Sequence, residues 1–141
     1  MNKFKDNLND FFKWVKGTEL VELNDIDVSE DPVRPELTLD FRITHDRKIF
    51  GLKYNNEIEA IVCVVFCPEV PYTLREMDYM SRVKDGTIAV AYTVWSRKRG
   101  AGKKIMEEAL RFGKSKGFKR IVTLSPLTPM ATHYHIRNGG K

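Results

Sequence analysis

Phe4, Leu8, Phe11, Phe12 and Val15 recur at i, i+4, i+7, i+8 and i+11, and Gly17 follows them. That spacing is one apolar face of a helix with a stop, so a helix is predicted over 1–17. Residues 18–35 are acidic and carry Pro32 and Pro35, which predicts mostly loop with a short strand at Leu20–Leu23. Leu37, Leu39, Phe41 and Ile43 then alternate with Glu36, Thr38, Asp40 and Arg42, the period-two pattern of a half-buried strand. Lys48–Tyr54 reads as a further strand, turned by Asn55-Asn56, because asparagine tolerates positive φ. Glu57–Phe66 is nearly all apolar after Glu59, as expected of a strand buried on both faces. Residues 68–86 form an insertion in which Thr73 and Glu76 make a capping box, opening a helix that runs to about Met80. Thr87–Trp95 is the next strand, so 36–95 reads as antiparallel strands with one helical insertion.

Beyond it, Gly100–Lys116 is helical in pattern. Ile105, Ala109 and Phe112 form one stripe, and Gly117 supplies the stop. Arg120–Leu124 is a short strand. Thr128 as cap and Pro129 at the first helical position predict a last helix to about Arg137. No repeat, low-complexity tract or domain boundary interrupts the 141 residues, a length that suits a single core. The longest apolar run, Ile61–Cys67, is too short to span a bilayer, so no membrane association is expected. Met1-Asn2-Lys3 leads into a charged helical pattern and not an apolar signal core, which makes the cytoplasm the expected compartment. Cys63 and Cys67, four apart on one strand, are about 13 Å from each other. They cannot bridge, and no further cysteine completes a thiolate metal site. Two buried small hydrophobes and no metal is the plain reading.

Charge changes the picture more. The formal net charge is +5, but it is unevenly spread. Glu19–Asp40 holds eight acids against Arg34, whereas Arg97–Arg120 holds ten bases against Glu107 and Glu108. A basic stretch packed around glycines calls for an anionic partner, unless it is only a solvated helix face. Its centre is Ser96-Arg97-Lys98-Arg99-Gly100-Ala101-Gly102-Lys103, between a strand and a helix. Glycine lets a ligand approach the backbone, and the unpaired amides of a helix start favour negative charge. The loop is a phosphate cradle in chemical terms. Its spacing is neither that of a Walker loop nor that of a dinucleotide fingerprint.

Arg97-x-x-Gly100-x-Gly102 after a strand, an amphipathic helix, and Gly117-Phe118-Lys119-Arg120-Ile121 entering a strand resemble the acyl-CoA N-acyltransferase (GNAT) superfamily. Thr128, Ala131, His135 and Gly139 fall where that superfamily has Asn, Ala, Tyr and Gly around its last helix. The resemblance runs from about Lys48 to Gly140. It implies an α/β fold of α+β type, with a mixed, mainly antiparallel central sheet of five to six strands flanked by helices. The resemblance implies further strands beyond Lys141, so the expectation is either a truncated reading frame or a sheet edge that a partner completes. A homo-oligomer is one way to cover such an open edge.

The resemblance also implies a chemistry. The cofactor-binding set is Val94, Arg97, Lys98, Arg99, Gly100, Ala101, Gly102, Lys103 and Thr128. The loop would hold the pyrophosphate of acetyl-CoA or another acyl-CoA as co-substrate, with the strand near Val94 along the pantetheine arm. The reaction would move the acyl group to a small-molecule or peptide amine. His135, in the place of the superfamily's tyrosine, and Tyr134 beside it are the candidate proton donors, although a surface histidine explains His135 equally well. Glu57, Glu59, Glu69 and Asp78 are base candidates by charge alone. Tyr72, Met77, Tyr79 and Met80 of the insertion either line an acceptor pocket or bury a short helix. Thr123-Leu124-Ser125-Pro126 resembles a Leu-Ser-Pro segment of the malonyl-CoA decarboxylase family, which shares the fold. That likeness adds Ser125, with a downstream histidine, as a catalytic candidate for an acyl-CoA decarboxylase. A non-catalytic CoA-binding or structural module is the remaining alternative. Nucleic acid is disfavoured, because no aromatic platform or helix-turn-helix accompanies the basic stretch.

Overall fold

The computed structural model describes residues 16–82, 86–118, 120–124 and 131–135. The helix expected over 1–17 lies outside these apart from its last two positions, as do Ser125 and Thr128. Strand β1 (Glu19–Leu23) forms where a short strand is expected inside the acidic segment. It pairs antiparallel with β2 (Arg47–Tyr54), which pairs antiparallel with β3 (Glu57–Cys67). The β2–β3 turn is Asn55-Asn56, with φ of 50° and 64°. Both values lie in the left-handed region that asparagine enters more readily than most side chains. Strand β4 (Ile88–Ser96) runs antiparallel to β3, and β5 (Arg120–Leu124) runs parallel to β4. Strand β6 (Ala131–His135) closes the order β1-β2-β3-β4-β5-β6.

Among the described residues, three α-helices flank this mixed, mainly antiparallel sheet: α1 (Leu39–Ile43), α2 (Leu74–Met80) and α3 (Ala101–Ser115). Thr73 caps α2 by accepting the Glu76 amide at 3.1 Å, which is half of the capping box read from the sequence. Helix α3 is the parallel crossover between β4 and β5. It buries Ala101, Ile105, Ala109 and Leu110 against Phe50, Leu52, Val62, Val64, Ala89 and Ala91. The opposite face holds Ile49, Ile61, Cys63, Val65, Val90, Tyr92 and Trp95, covered by Met77 of α2 and by Leu37, Leu39 and Phe41. Strand β3 contributes to both cores, as its continuous apolar run requires. Cys63 and Cys67 are free, on one face, and fully buried.

Two elements depart from the sequence pattern. Leu37–Ile43 is not a strand: Thr38 accepts the Phe41 amide and opens α1. The alternation is only partly realised: Leu37, Leu39 and Phe41 pack on the core, whereas Ile43 is exposed and Arg42 is buried, and so short a pattern does not outweigh the Thr38 cap. The C-terminal helix expected from Pro129 is also replaced. Residues 131–135 pair antiparallel with β5, from Ala131 opposite Leu124 to His135 opposite Arg120. The stretch Ala-Thr-His-Tyr-His is rich in residues that suit a pleated surface, and β5 offers an open edge to pair with. No described helix is long and apolar enough to cross a membrane.

Candidate phosphate cradle and strand split

The strand-to-helix turn after β4 takes the form that a cradle needs. Gly100 is the N-cap of α3 at φ 84°, a conformation in which an L side chain is strained, and it makes no side-chain cap. The Ala101 amide bonds back to the Lys98 carbonyl at 3.1 Å, and the first helical bond runs from Lys104 to Gly100 at 3.2 Å. The amides of Gly102 and Lys103 find no acceptor among the described residues. A Cβ on Gly100 would meet nothing within 4 Å, and one on Gly102 would only touch Ser96 at 3.7 Å. The mouth of the helix is therefore open, and its bare amides and dipole favour an anion.

The cations around this mouth sort into two sets. Arg97 is bound to Glu30 at 2.8 Å and to the Ile58 carbonyl at 3.2 Å. Lys98 reaches the buried carboxylate of Glu59 at 2.9 Å, and that contact raises the pKa of the lysine. Lys104 lies along the helix against Glu108 at 2.9 Å. Arg99 and Lys103 are exposed and have no acidic partner among the described residues. Among the described residues these two cations remain for a ligand, Arg97 and Lys98 tie the loop to the segment before α1 and to β3, and Lys104 stays on its own helix.

Beside the mouth the sheet divides. Strand β4 pairs with β5 only from Ile88 opposite Arg120 to Ala91 opposite Thr123. Beyond Ala91 it keeps β3 on one side, with Val94 opposite Val62, and no described strand on the other. The division coincides with a bulge: Cys63 faces Thr93 while Val64 faces Ala91, so Tyr92 is an extra residue. Period two would otherwise turn Thr93 and Trp95 toward α3. With the bulge, Trp95 joins Tyr92 on the far face, and Val94 packs on the α3 side.

A buried polar cluster sits under this bulge, and sequence reasoning missed it. Asp31 pairs with Arg42 at 2.7 Å, both side chains fully buried. Arg42 also donates to the carbonyls of Arg34 and Leu37 at 2.8 and 2.9 Å. The Thr93 hydroxyl donates to the Asp31 carboxylate at 2.9 Å, and Arg34 Nε donates to the Tyr92 carbonyl at 2.7 Å. Burial pushes the pKa of Asp31 up. The Arg34 amide, the Arg42 guanidinium, the Val33 amide and the Thr93 hydroxyl outweigh it and hold the carboxyl below its usual range. Arg42 looked like a solvent-facing residue of an alternating strand. Its acceptors, Asp31 and the carbonyls of Arg34 and Leu37, lie in an irregular segment with no periodic signal, and an acidic segment holding a lone arginine was the one hint available.

Of the predicted site residues, the fold brings Val94, Arg97, Lys98, Arg99, Gly100, Ala101, Gly102 and Lys103 to one end of β4. It does not bring His135 and Tyr134 there. Their backbone lies opposite Arg120 and Ile121, which are level with Ile88 and Ala89 at the start of β4. From Ile88 to Val94 is roughly 20 Å of extended chain. The proton-donor expectation assumed a helix where a strand stands, and the separation follows from that. Leu124, next to Ser125, ends β5 one position past the last β4–β5 pair, at the division itself. Glu59 and Asp78, base candidates by charge, are committed to Lys98 and to Arg47. Met77 is core, whereas Tyr72 and Tyr79 are exposed. No cluster of three metal-ligating side chains occurs among the described residues.

A sheet divided beside an open, cation-flanked helix mouth defines the class to which the comparisons also point. The profile of the Acetyltransferase (GNAT) family matches residues 8–139, and the chain belongs to that family. Among solved structures, malonyl-CoA decarboxylase from Agrobacterium vitis is similar at 20% identity and a TM-score of 0.63, over 86% of this chain and 37% of that one. Malonyl-CoA decarboxylase from Rhodopseudomonas palustris is similar at 19% identity and a TM-score of 0.57, over 86% and 34%. A Bacillus subtilis acetyltransferase in complex with CoA aligns at 12% identity and a TM-score of 0.50, over 75% and 62%. These likenesses concern the fold, and the chain spans little more than a third of the decarboxylases it resembles. No curated protein sequence matches it.

Proposed function

We propose that the protein is an acyl-CoA-dependent N-acyltransferase, with acetyl-CoA as donor and an amine as acceptor. The observation that carries this is that, among the described residues, the amides of Gly102 and Lys103 have no acceptor, Arg99 and Lys103 have no acidic partner, and β4 has no strand on its far edge beyond Ala91. The diphosphate of CoA is a match for the amides and the two cations. The pantetheine arm, itself a chain of amides, can lie along the free edge of β4 near Val94 as an added strand. The thioester then rests near the bulge. The amine nitrogen forms a bond to the carbonyl carbon as the carbon–sulfur bond breaks, the thiolate takes up a proton, and the nitrogen gives one to solvent. A thiol with a pKa near ~8.5 leaves without an obligatory acid, so the distance of His135 from Val94 does not oppose the reaction.

The test is titration calorimetry of the full chain with acetyl-CoA. Saturable binding is expected, weakening as salt is raised because Arg99 and Lys103 are exposed. Replacing both with glutamate should weaken it by about a hundredfold, roughly tenfold per charge-assisted contact. No binding at millimolar acetyl-CoA would end the proposal.

A second reading has one observation in its favour. The described part of β5 ends at Leu124, at the division beside β4, and the segment Thr123-Leu124-Ser125-Pro126 resembles the decarboxylase family. An acyl-CoA decarboxylase would release CO2 from malonyl-CoA and leave acetyl-CoA with no amine present. Incubation with malonyl-CoA separates the two readings.

A further inference from the structure

We propose that Asp31, Arg34 and Arg42 act as a brace that fixes the bulge of β4 and so sets the backbone of Val94 for the thioester. They are positioning residues for the reaction proposed above, and the inference rests on that reading. The argument starts from the number of residues on each strand. Between the Cys63–Thr93 and Val64–Ala91 pairs, β4 has one residue more than β3. Losing that extra residue by a one-position slip would exchange the faces of Val94 and Trp95. Val94 would leave the side of the helix mouth, and Trp95 would enter it. Beyond Ala91 the ladder to β3 alone opposes such a slip, because no described strand flanks β4 on its other side.

What reinforces that single ladder is one short segment of chain. Arg34 takes the Tyr92 carbonyl at 2.7 Å, and Asp31 takes the Thr93 hydroxyl at 2.9 Å with each carboxylate oxygen. Each of the two bulge residues is thus held by its own bond. The holders are themselves fixed. Asp31 accepts the Val33 and Arg34 amides at 2.8 and 3.0 Å and pairs with Arg42, whose other donors reach Leu37 and Arg34 carbonyls. Asp31, Arg34, Arg42 and Thr93 are all buried. A core of this size would be covered as well by apolar residues. A fully bonded polar cluster at the single place where β4 stands without β5 is a device for register, the use in which buried polar groups are best attested.

The experiment compares full-length wild type, Thr93→Val, Thr93→Ser and Arg34→Met by titration with CoA and acetyl-CoA and by amide hydrogen exchange. Thr93→Val keeps the shape and removes the hydroxyl, whereas Thr93→Ser keeps the hydroxyl. In wild type and Thr93→Ser, acetyl-CoA should slow exchange at Val94 and Trp95. In Thr93→Val and Arg34→Met, affinity for CoA should stay within about twofold, because the diphosphate grip is elsewhere, while slowing at Val94 and Trp95 falls about tenfold, the worth of one buried hydrogen bond. Slowing equal to wild type in both variants would overturn the brace and leave the acyl-CoA reading standing. So would loss of CoA affinity in parallel with the slowing, which marks a general structural role. Failure of the wild type to bind CoA or acetyl-CoA would remove the acyl-CoA reading and the brace with it.

Discussion

Gly100 and Gly102 are glycines for different reasons, and the difference is measurable. Gly100 sits at φ 84° with open space around it, so an alanine there meets no atom but carries the left-handed strain. Gly100→Ala should lower stability by roughly 1–2 kcal/mol. Gly102 has no such φ, and its Cβ would make ordinary contact with Ser96 at 3.7 Å. Gly102→Ala should leave urea stability unchanged or raise it by up to about 1 kcal/mol, since alanine favours a helix. If Gly102→Ala folds normally and still loses CoA affinity, the glycine is there for the ligand and not for the chain. Asp31 gives a second residue-scale prediction. Its folded pKa is depressed, as is that of Asp78 under the hydrogen bond from Arg47. Their contribution is complete well above the ordinary aspartate value of ~3.9 and is lost as pH falls through it toward the lower folded values. The urea midpoint should therefore drop between about pH 5 and pH 3. Asp31→Asn should make that drop shallower, because one of the two groups no longer titrates. Asp31→Ala, which strands Arg42 without a counter-charge, should cost about 3–5 kcal/mol at neutral pH.

Among the elements, local chemistry was legible and long-range chemistry was not. The Asn55-Asn56 turn, the Thr73 cap, the buried run of β3 and the glycine-bounded α3 each carry their reason within a few residues, and each stands where the pattern places it. Leu37–Ile43 misled because its alternation rests on four apolar positions, of which Leu37, Leu39 and Phe41 face the core and Ile43 does not. Thr128-Pro129 is a sound local signal for a helix start. It says nothing about the open edge of β5, which residues 131–135 pair with instead. The cradle was readable from Arg97 to Lys103. The partners that occupy Arg97 and Lys98, namely Glu30, Ile58 and Glu59, lie more than 35 positions earlier, and only folding discloses them. Gly86 lies just before β4. A Cβ there would lie 2.6 Å from the Phe66 carbonyl carbon, backbone that cannot swing away. Gly86→Ala should therefore push β4 from β3 and cost about 1–3 kcal/mol, visible as a lowered thermal midpoint.

At the scale of the whole molecule, the sheet carries a core on each face, and of the strands that serve both, β3 is the longest. Cys63 and Cys67 belong to that strand, with burial pushing their thiol pKa values up to about 11 and about 12. Neither thiol is accessible in the closed fold, and neither is ionised enough at neutral pH to react. The two sulfurs thus act as a clock. An aromatic disulfide reagent added to the native protein should consume both at one slow rate, set by how often the sheet comes apart and not by reagent concentration. A compound that grips the protein at the end of β4 should slow that clock in proportion to its occupancy. Ligands could then be screened by colour alone, before any acceptor for the acyl group has been found.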